Sequence, residues 1–396
     1  MGEIMVKVLF ASYGGGHIKA ILPVIEKLRA DKDYDCQVLA LNSATNECRA
    51  RHIPYKTLRD FVHLYPPDMM VKGRELAAEL THSTLSPEES AAYLGIGFYG
   101  LCQELGEDAD SEAYRTSGRQ AFCPTHAMEM LLSDIKSDIV ITTNAPRFEK
   151  ALQQAARNLG IASLCLVDFY PGAELEWLAT PNYGTRVCVI DEFVKNQLVE
   201  KGRDVSDIVV TGNPAFDHYG TAQASEEANR YRNQHMNGAE RIIAYASNLE
   251  PDDGQGPPLQ ERLLDFLEKE CAALGYRLSL RRHPSERSSV RPPNVLDGNV
   301  VSLETFMASA DAMITFPSTV AYEARLLGTP VIVLGMSRLA SDAGYWHTGE
   351  YRIAEYMAML GQMLKDVPKR PEQKPFLQRF ASDKVIDVMK KIACNL

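Results

Sequence analysis

Residues 6–17 read VKVLFASYGGGH, an apolar run broken by three glycines and followed by a histidine. Seven residues rich in Val, Leu and Phe suit a strand buried on both faces, the kind found in parallel sheets. The glycines Gly14, Gly15 and Gly16 permit a sharp backbone turn and leave the main chain open to a ligand. Downstream, Ile18, Ile21, Leu22, Ile25 and Leu28 recur at helical spacing, which places His17 in a first helical turn. A helix N-terminus there offers unpaired N–H groups and a positive dipole end to an anion.

The same rhythm continues. Strands are expected at Cys36–Leu41, Asp138–Thr143, Ala162–Val167, Arg186–Ile190 and Asp207–Thr211. Residues 60–135 interrupt it with an apolar, helical stretch, expected as an insertion over one mouth of the sheet. A polar segment near 213–238 then separates a second strand–helix series. Its strands are expected at Arg241–Ala246, Arg277–Arg281, Val300–Ser302, Ala312–Phe316 and Pro330–Leu334. Its helices are expected near 258–274, at 303–309 and at Thr319–Leu327. The fold expected is therefore α/β: two doubly wound, Rossmann-like domains at 1–213 and 239–375, facing across a cleft. The final residues, 376–396, carry an amphipathic helix expected to pack back on the first domain.

The 396 residues hold 45% hydrophobic and 24% charged side chains, the balance of a globular enzyme. No apolar run approaches the roughly 18 residues that a membrane span needs. The net charge of −10 argues against a general nucleic-acid binder. Eight scattered cysteines without a CxxC pair suit buried free thiols in a reducing compartment, so a cytoplasmic location is expected.

Two further motifs carry chemistry. In Thr315-Phe316-Pro317-Ser318-Thr319 a strand runs into a helix, and the Ser318 and Thr319 hydroxyls fall where a phosphate can sit. Glu323, one turn on, is placed to take ribose hydroxyls. The turn Arg281-Arg282-His283-Pro284 follows a strand and offers two guanidiniums and an imidazole to a nucleotide. Ser247 and Asn248, ending the first strand of this half, are candidate phosphate contacts. His17 on the glycine loop and Asp168 at the end of the strand SLCLV are candidates for a catalytic base. Arg119 and Arg147 are candidates for an anionic acceptor. No ligand-spaced His/Cys cluster is present in the sequence, so neither a metal nor a cofactor is expected.

The glycine loop, the Arg-His-Pro turn and the Ser-Thr helix start together resemble the two-domain nucleotide-sugar glycosyltransferases of the GT-B fold. The GGGH loop resembles that of the peptidoglycan UDP-GlcNAc transferase and the plant galactolipid synthases. The second half resembles enzymes that use CMP-linked donors: sialyltransferases, Kdo transferases and CDP-glycerol polymerases. That resemblance implies that His283, Ser318 and Thr319 hold the CMP phosphate. It implies an inverting, metal-independent transfer to a carbohydrate, lipid or small-molecule hydroxyl in polysaccharide or glycolipid synthesis, with room for peripheral membrane association. The TGNP step at 211–214 and the residues Glu323–Pro330 also resemble UDP-GlcNAc 2-epimerases. That family carries Gly-Thr-Arg-Pro-Glu after its first strand and Ser-Gly-Gly at the helix start, where this chain has Tyr13–His17 and Pro317–Thr319. A UDP-sugar epimerase or hydrolase, or a non-catalytic nucleotide-sugar binding protein, is the alternative expectation.

Overall fold

The computed structural model describes residues 5–80, 85–181, 183–286, 291–338, 349–370 and 380–394. It separates into two compact units, Met1–Asp217 with Phe380–Leu396, and His218–Arg379.

In the first unit β1 (Val6–Ser12) leads into α1 (Gly16–Arg29), β2 (Tyr34–Ala40) and α2 (Ala44–Ala50). Then come α3 (Pro67–Ala78), α4 (Pro87–Leu105), α5 (Glu107–Ser117) and α6 (Thr125–Ile135). The series resumes with β3 (Ile139–Thr143), α7 (Phe148–Asn158), β4 (Ala162–Leu166) and α8 (Leu175–Leu178). It closes with β5 (Arg186–Val189), α9 (Glu192–Glu200) and β6 (Ile208–Val210). The sheet order is β2-β1-β3-β4-β5-β6, every pair parallel.

Alternation along β1 divides the core. Val8 and Phe10 pack with α1 on one face, while Leu9 and Ala11 pack with the helices that follow β2 on the other. The segment expected as an insertion over the mouth of the sheet packs, together with α7, on one face of the sheet against Leu9 and Ala11 of β1, Leu39 of β2 and Val140 of β3. Its tightest joint is between α3 and α4, where a Cβ on Gly73 would stand 2.1 Å from the Ala91 carbonyl oxygen. Only glycine fits at that crossing.

The second unit begins earlier than its composition suggests. Residues expected as a polar boundary form α10 (Ala222–His235), whose Arg232 makes a bidentate ion pair with Asp311 at 2.6 and 3.1 Å. The helix is poor in aliphatic residues and buries only Ala228 and Tyr231, so its apolar stripe is faint in the sequence. It is followed by β7 (Ile242–Ala246), α11 (Leu259–Ala273), β8 (Arg277–Arg281), β9 (Leu296–Asp297) and α12 (Leu303–Ser309). Then come β10 (Ala312–Thr315), α13 (Thr319–Leu326), β11 (Val331–Leu334), β12 (Arg352–Ala354) and α14 (Met357–Lys365). The sheet order is β12-β11-β10-β7-β8-β9, again all parallel. The strand expected at Val300–Ser302 is not one. Val300 is exposed, the Ser302 hydroxyl accepts the Thr305 N–H to cap α12, and Leu296–Asp297 pairs with β8 instead.

The last helix, α15 (Ala381–Ala393), belongs to the first unit. Val385, Met389 and Ile392 enter the core beside α1, and Asp217 accepts the Ala381 and Ser382 N–H groups at the helix start, each at 2.8 Å. Residues 376–379 of the expected helix lie outside the described residues. Among the described residues no helix is long and apolar enough to cross a membrane.

Candidate functional sites

In each sheet the strand order reverses at one place, between β1 and β3 and between β7 and β10. Open α/β sheets bind ligands at the carboxyl ends of the strands beside such a switch. Both groups of sequence candidates fall there.

In the first unit, Gly14 packs so closely under α2 that a Cβ would lie 2.0 Å from Ser43 Oγ and 2.9 Å from Ala44 N. Gly15 follows with φ 74° and a clear space where a side chain would stand, then α1 begins. His17, in its first turn, places Nδ1 3.0 Å from Asp168 Oδ2 and 3.0 Å from Thr143 Oγ1. The Thr143 hydroxyl donates to Glu149 Oε2 at 2.5 Å, so toward the imidazole it accepts. The Nδ1 proton is thus held between Asp168 and Thr143, and Nε2 is the nitrogen left to take another. His17 remains 31% exposed, enough for a ligand to reach it.

Burial alone would push the imidazole down. The Asp168 hydrogen bond and charge, joined by Glu149 and Glu174, outweigh it and raise His17 to about 9. Glu149 is fully buried in the first turn of α7 and accepts N–H groups from Tyr13 at 2.7 Å and Thr143 at 2.6 Å. Burial pushes its carboxyl up to about 7, against the pull of His17 and those hydrogen bonds. The TGNP step has a structural task here. Asn213 Nδ2 donates to the Asp168 carbonyl at 2.6 Å, and Asn144 Oδ1 accepts the Asp168 N–H at 3.2 Å, so the backbone behind the carboxylate is pinned from two strands.

In the second unit, Ser318 caps α13, its hydroxyl accepting the Val320 N–H at 3.1 Å, and Thr319 is exposed beside it. His283 and Pro284 are exposed on the turn after β8. His283 Nδ1 accepts the Ser285 N–H at 3.2 Å, which leaves the proton on Nε2 as an outward donor. Arg282 is engaged otherwise than expected: its guanidinium bridges Glu261 at 2.7 Å and Glu286 at 2.9 Å. Glu286 also accepts the Ser247 hydroxyl at 2.5 Å and the His283 N–H at 2.9 Å, tying the ends of β7 and β8 together. Arg282 and Ser247 thereby shape the turn. Asn248 turns its side-chain oxygen back to the Leu249 N–H. Glu323 is buried and accepts the Tyr219 hydroxyl.

His17, Asp168 and the three glycines thus come together in one unit, and His283, Ser318 and Thr319 cap strand ends in the other. Arg147 lies against Tyr13, whereas Arg119 is exposed on a short helical turn after α5. Sequence reading missed Thr143 and Glu149. The signal for Glu149 was its phase: with Leu152 and Ala156 it lies at i, i+3 and i+7 on the apolar stripe of α7.

No protein-family profile matches the chain, and no curated protein matches its sequence. Solved structures match its fold over nearly its whole length. MurG of Acinetobacter baumannii aligns with a TM-score of 0.57 at 13% identity, over 98% of this chain and 99% of that one. The UDP-GlcNAc 2-epimerase of Methanocaldococcus jannaschii gives 0.57 at 12% identity, over 98% and 100%. The kitacinnamycin glycotransferase gives 0.53 at 12% identity, over 98% and 95%. The chain has the GT-B fold. At these identities the likeness is one of architecture.

Proposed function

We propose that the protein is an inverting glycosyltransferase that works without a metal ion and moves a sugar from a nucleotide-sugar to a hydroxyl acceptor, in polysaccharide or glycolipid synthesis. The observation that carries this reading is the His17–Asp168 contact at the sheet's switch point, with Nε2 left for an incoming proton. As the acceptor oxygen attacks the anomeric carbon, its proton passes to Nε2, and Asp168 steadies the imidazolium. The bond from that carbon to the phosphate oxygen breaks, and the departing charge needs donors. In the second unit the His283 Nε2–H, the Ser318 and Thr319 hydroxyls and the first amides of α13 are suited to that task. A CMP-linked donor is favoured by the Arg282-His283-Pro284 turn, in which Arg282 holds the shape and His283 makes the contact.

A second reading, a UDP-sugar epimerase or hydrolase, is supported by the TGNP step and by the architectural likeness to epimerases. Two measurements test the pair. Thermal shifts with CMP, CDP, UDP and GDP identify the nucleotide by the largest rise. Turnover of the matching nucleotide-sugar is then followed with and without hydroxyl acceptors, in the presence of EDTA. Acceptor-dependent release of nucleotide supports transfer. Release or epimerisation without any acceptor supports the second reading, and loss of activity in EDTA overturns the metal-free mechanism.

A further inference from the structure

The described residues contain several arginines withdrawn from solvent, and nearly all have evident partners. Arg203 gives its donors to the carbonyls of Leu178, Thr180 and Gly184, Arg232 pairs with Asp311, and Arg282 with Glu261 and Glu286. Arg147 differs. It stands between β3 and α7 with φ 67° and ψ −111°, a left-handed conformation that favours glycine over a branched chain. That backbone carries the guanidinium over the ring of Tyr13, 5.3 Å from its centroid. The polar groups it interacts with there are the hydroxyls of Tyr13 and Tyr93, which lie 3.0 Å from each other. Burial pushes the Tyr13 phenol well above its ordinary value.

No carboxylate among the described residues lies within 4 Å of this guanidinium, whereas its buried Nε without a hydrogen-bond partner is a feature it shares with Arg203 and Arg282. Glu149, two residues on, gives its oxygens to the Tyr13 and Thr143 N–H groups and the Thr143 hydroxyl. A half-buried cation set in an unfavourable backbone, facing hydroxyl groups and lacking a counter-charge, is matched by an anion that comes from outside. Its place is fixed, because Tyr13 opens the glycine loop that carries His17.

We infer that Arg147, with the hydroxyls of Tyr13 and Tyr93, forms a binding site for an anionic group, a phosphate or carboxylate, carried by the acceptor. Only the assignment of that anion to the acceptor rests on the proposed transfer. The site also gives α4 a functional part, since Tyr93 comes from that helix.

The test uses the full chain and four forms: wild type, Arg147→Gln, Arg147→Lys and Arg147→Gly. Melting temperatures are compared in sodium chloride, sodium phosphate and sodium acetate at equal ionic strength. Phosphate or acetate should raise the wild-type value by several degrees, the larger rise naming the anion, and should add little to the Gln and Gly variants, with Lys between. In chloride the Gly variant should melt no lower than wild type, because glycine tolerates the local φ. Equal anion-dependent rises in wild type and the Gln variant would overturn the site. So would a Gly variant that melts well below wild type in chloride while responding to phosphate as wild type does. Where transfer is measurable, Arg147→Gln should raise the KM for an anionic acceptor about tenfold or more, with nucleotide affinity unchanged. An anion response that depends on Arg147 in a protein that transfers to no acceptor would leave this site standing and remove the transferase reading.

Discussion

His17 Nδ1 and Asp168 Oδ2 stand 3.0 Å apart although the strands β2 to β4 and the helices α2 to α7 lie between them in the chain. Two residues that the sequence offers as alternative bases are one hydrogen-bonded pair. The carboxylate fixes which nitrogen faces inward, and under the proposed transfer the imidazole is the group that takes the proton.

That pairing sets a pH dependence with a definite sign. His17 is raised from 6.5 to about 9 in the folded protein, so folding favours its proton. Its contribution to stability is complete below pH 6.5 and is lost as pH climbs through about 9. A proton-accepting imidazole works from its neutral form, so kcat should rise with pH toward the same midpoint. In Asp168→Asn both the NMR titration of His17 and the rising limb of the rate profile should move to lower pH. An unmoved titration would show that Asp168 is not what holds the proton.

Glu149 acts one step behind the pair. Its folded carboxyl lies at about 7 against an ordinary 4.5, so its protonated form is favoured by folding, and the protein loses stability as pH rises through about 7. Glu149→Gln should flatten that part of a denaturation-against-pH curve. Glu149→Ala should cost more, because the Tyr13 and Thr143 N–H groups lose their buried acceptor, at about 1–3 kcal/mol for each unsatisfied group. A Glu149→Ala protein as stable as wild type in urea would contradict this role.

Strands were legible because apolar runs such as Val6–Ser12 are long and continuous, and parallel strands buried on both faces leave that trace. Helix α10 was not, since an Ala-and-Tyr stripe held by an ion pair to Asp311 has little hydrophobic period to detect. The same limit applies to the site. Glycines and hydroxyl caps are local features, so Gly14, Gly15 and Ser318 can be recognised in place. Arg282 is visible as a cation, but its neutralisation by Glu261 across 21 positions is a fact of packing. His17 and Asp168 lie 3.0 Å apart for the same reason, and no spacing rule announces it.

Gly73 tests how the face-covering helices are joined. An added methyl at 2.1 Å from the Ala91 carbonyl meets backbone, which cannot rotate away as a side chain can. Gly73→Ala should therefore separate α3 from α4 and lower stability by about 1–3 kcal/mol, an overpacking cost. Because the second unit shares no part of that joint, nucleotide affinity should be retained in the folded fraction. Calorimetry with and without nucleotide reads both quantities.

In the second unit the residues proposed to contact a nucleotide differ from those that shape the turn. His283→Ala removes an outward donor, and Ser318→Ala with Thr319→Ala removes two hydroxyls at a helix start. Each should weaken nucleotide binding by about 1–3 kcal/mol in titration calorimetry, with little change in melting temperature. Arg282→Ala should do the reverse. It leaves Glu261 and Glu286 facing each other without their shared cation, and Glu286 is the acceptor that also holds Ser247 and the His283 N–H. Melting temperature should fall first, and nucleotide affinity should follow only as the turn loosens. A stable Arg282→Ala protein with nucleotide binding abolished would instead place that guanidinium on the ligand and require the turn to open before binding.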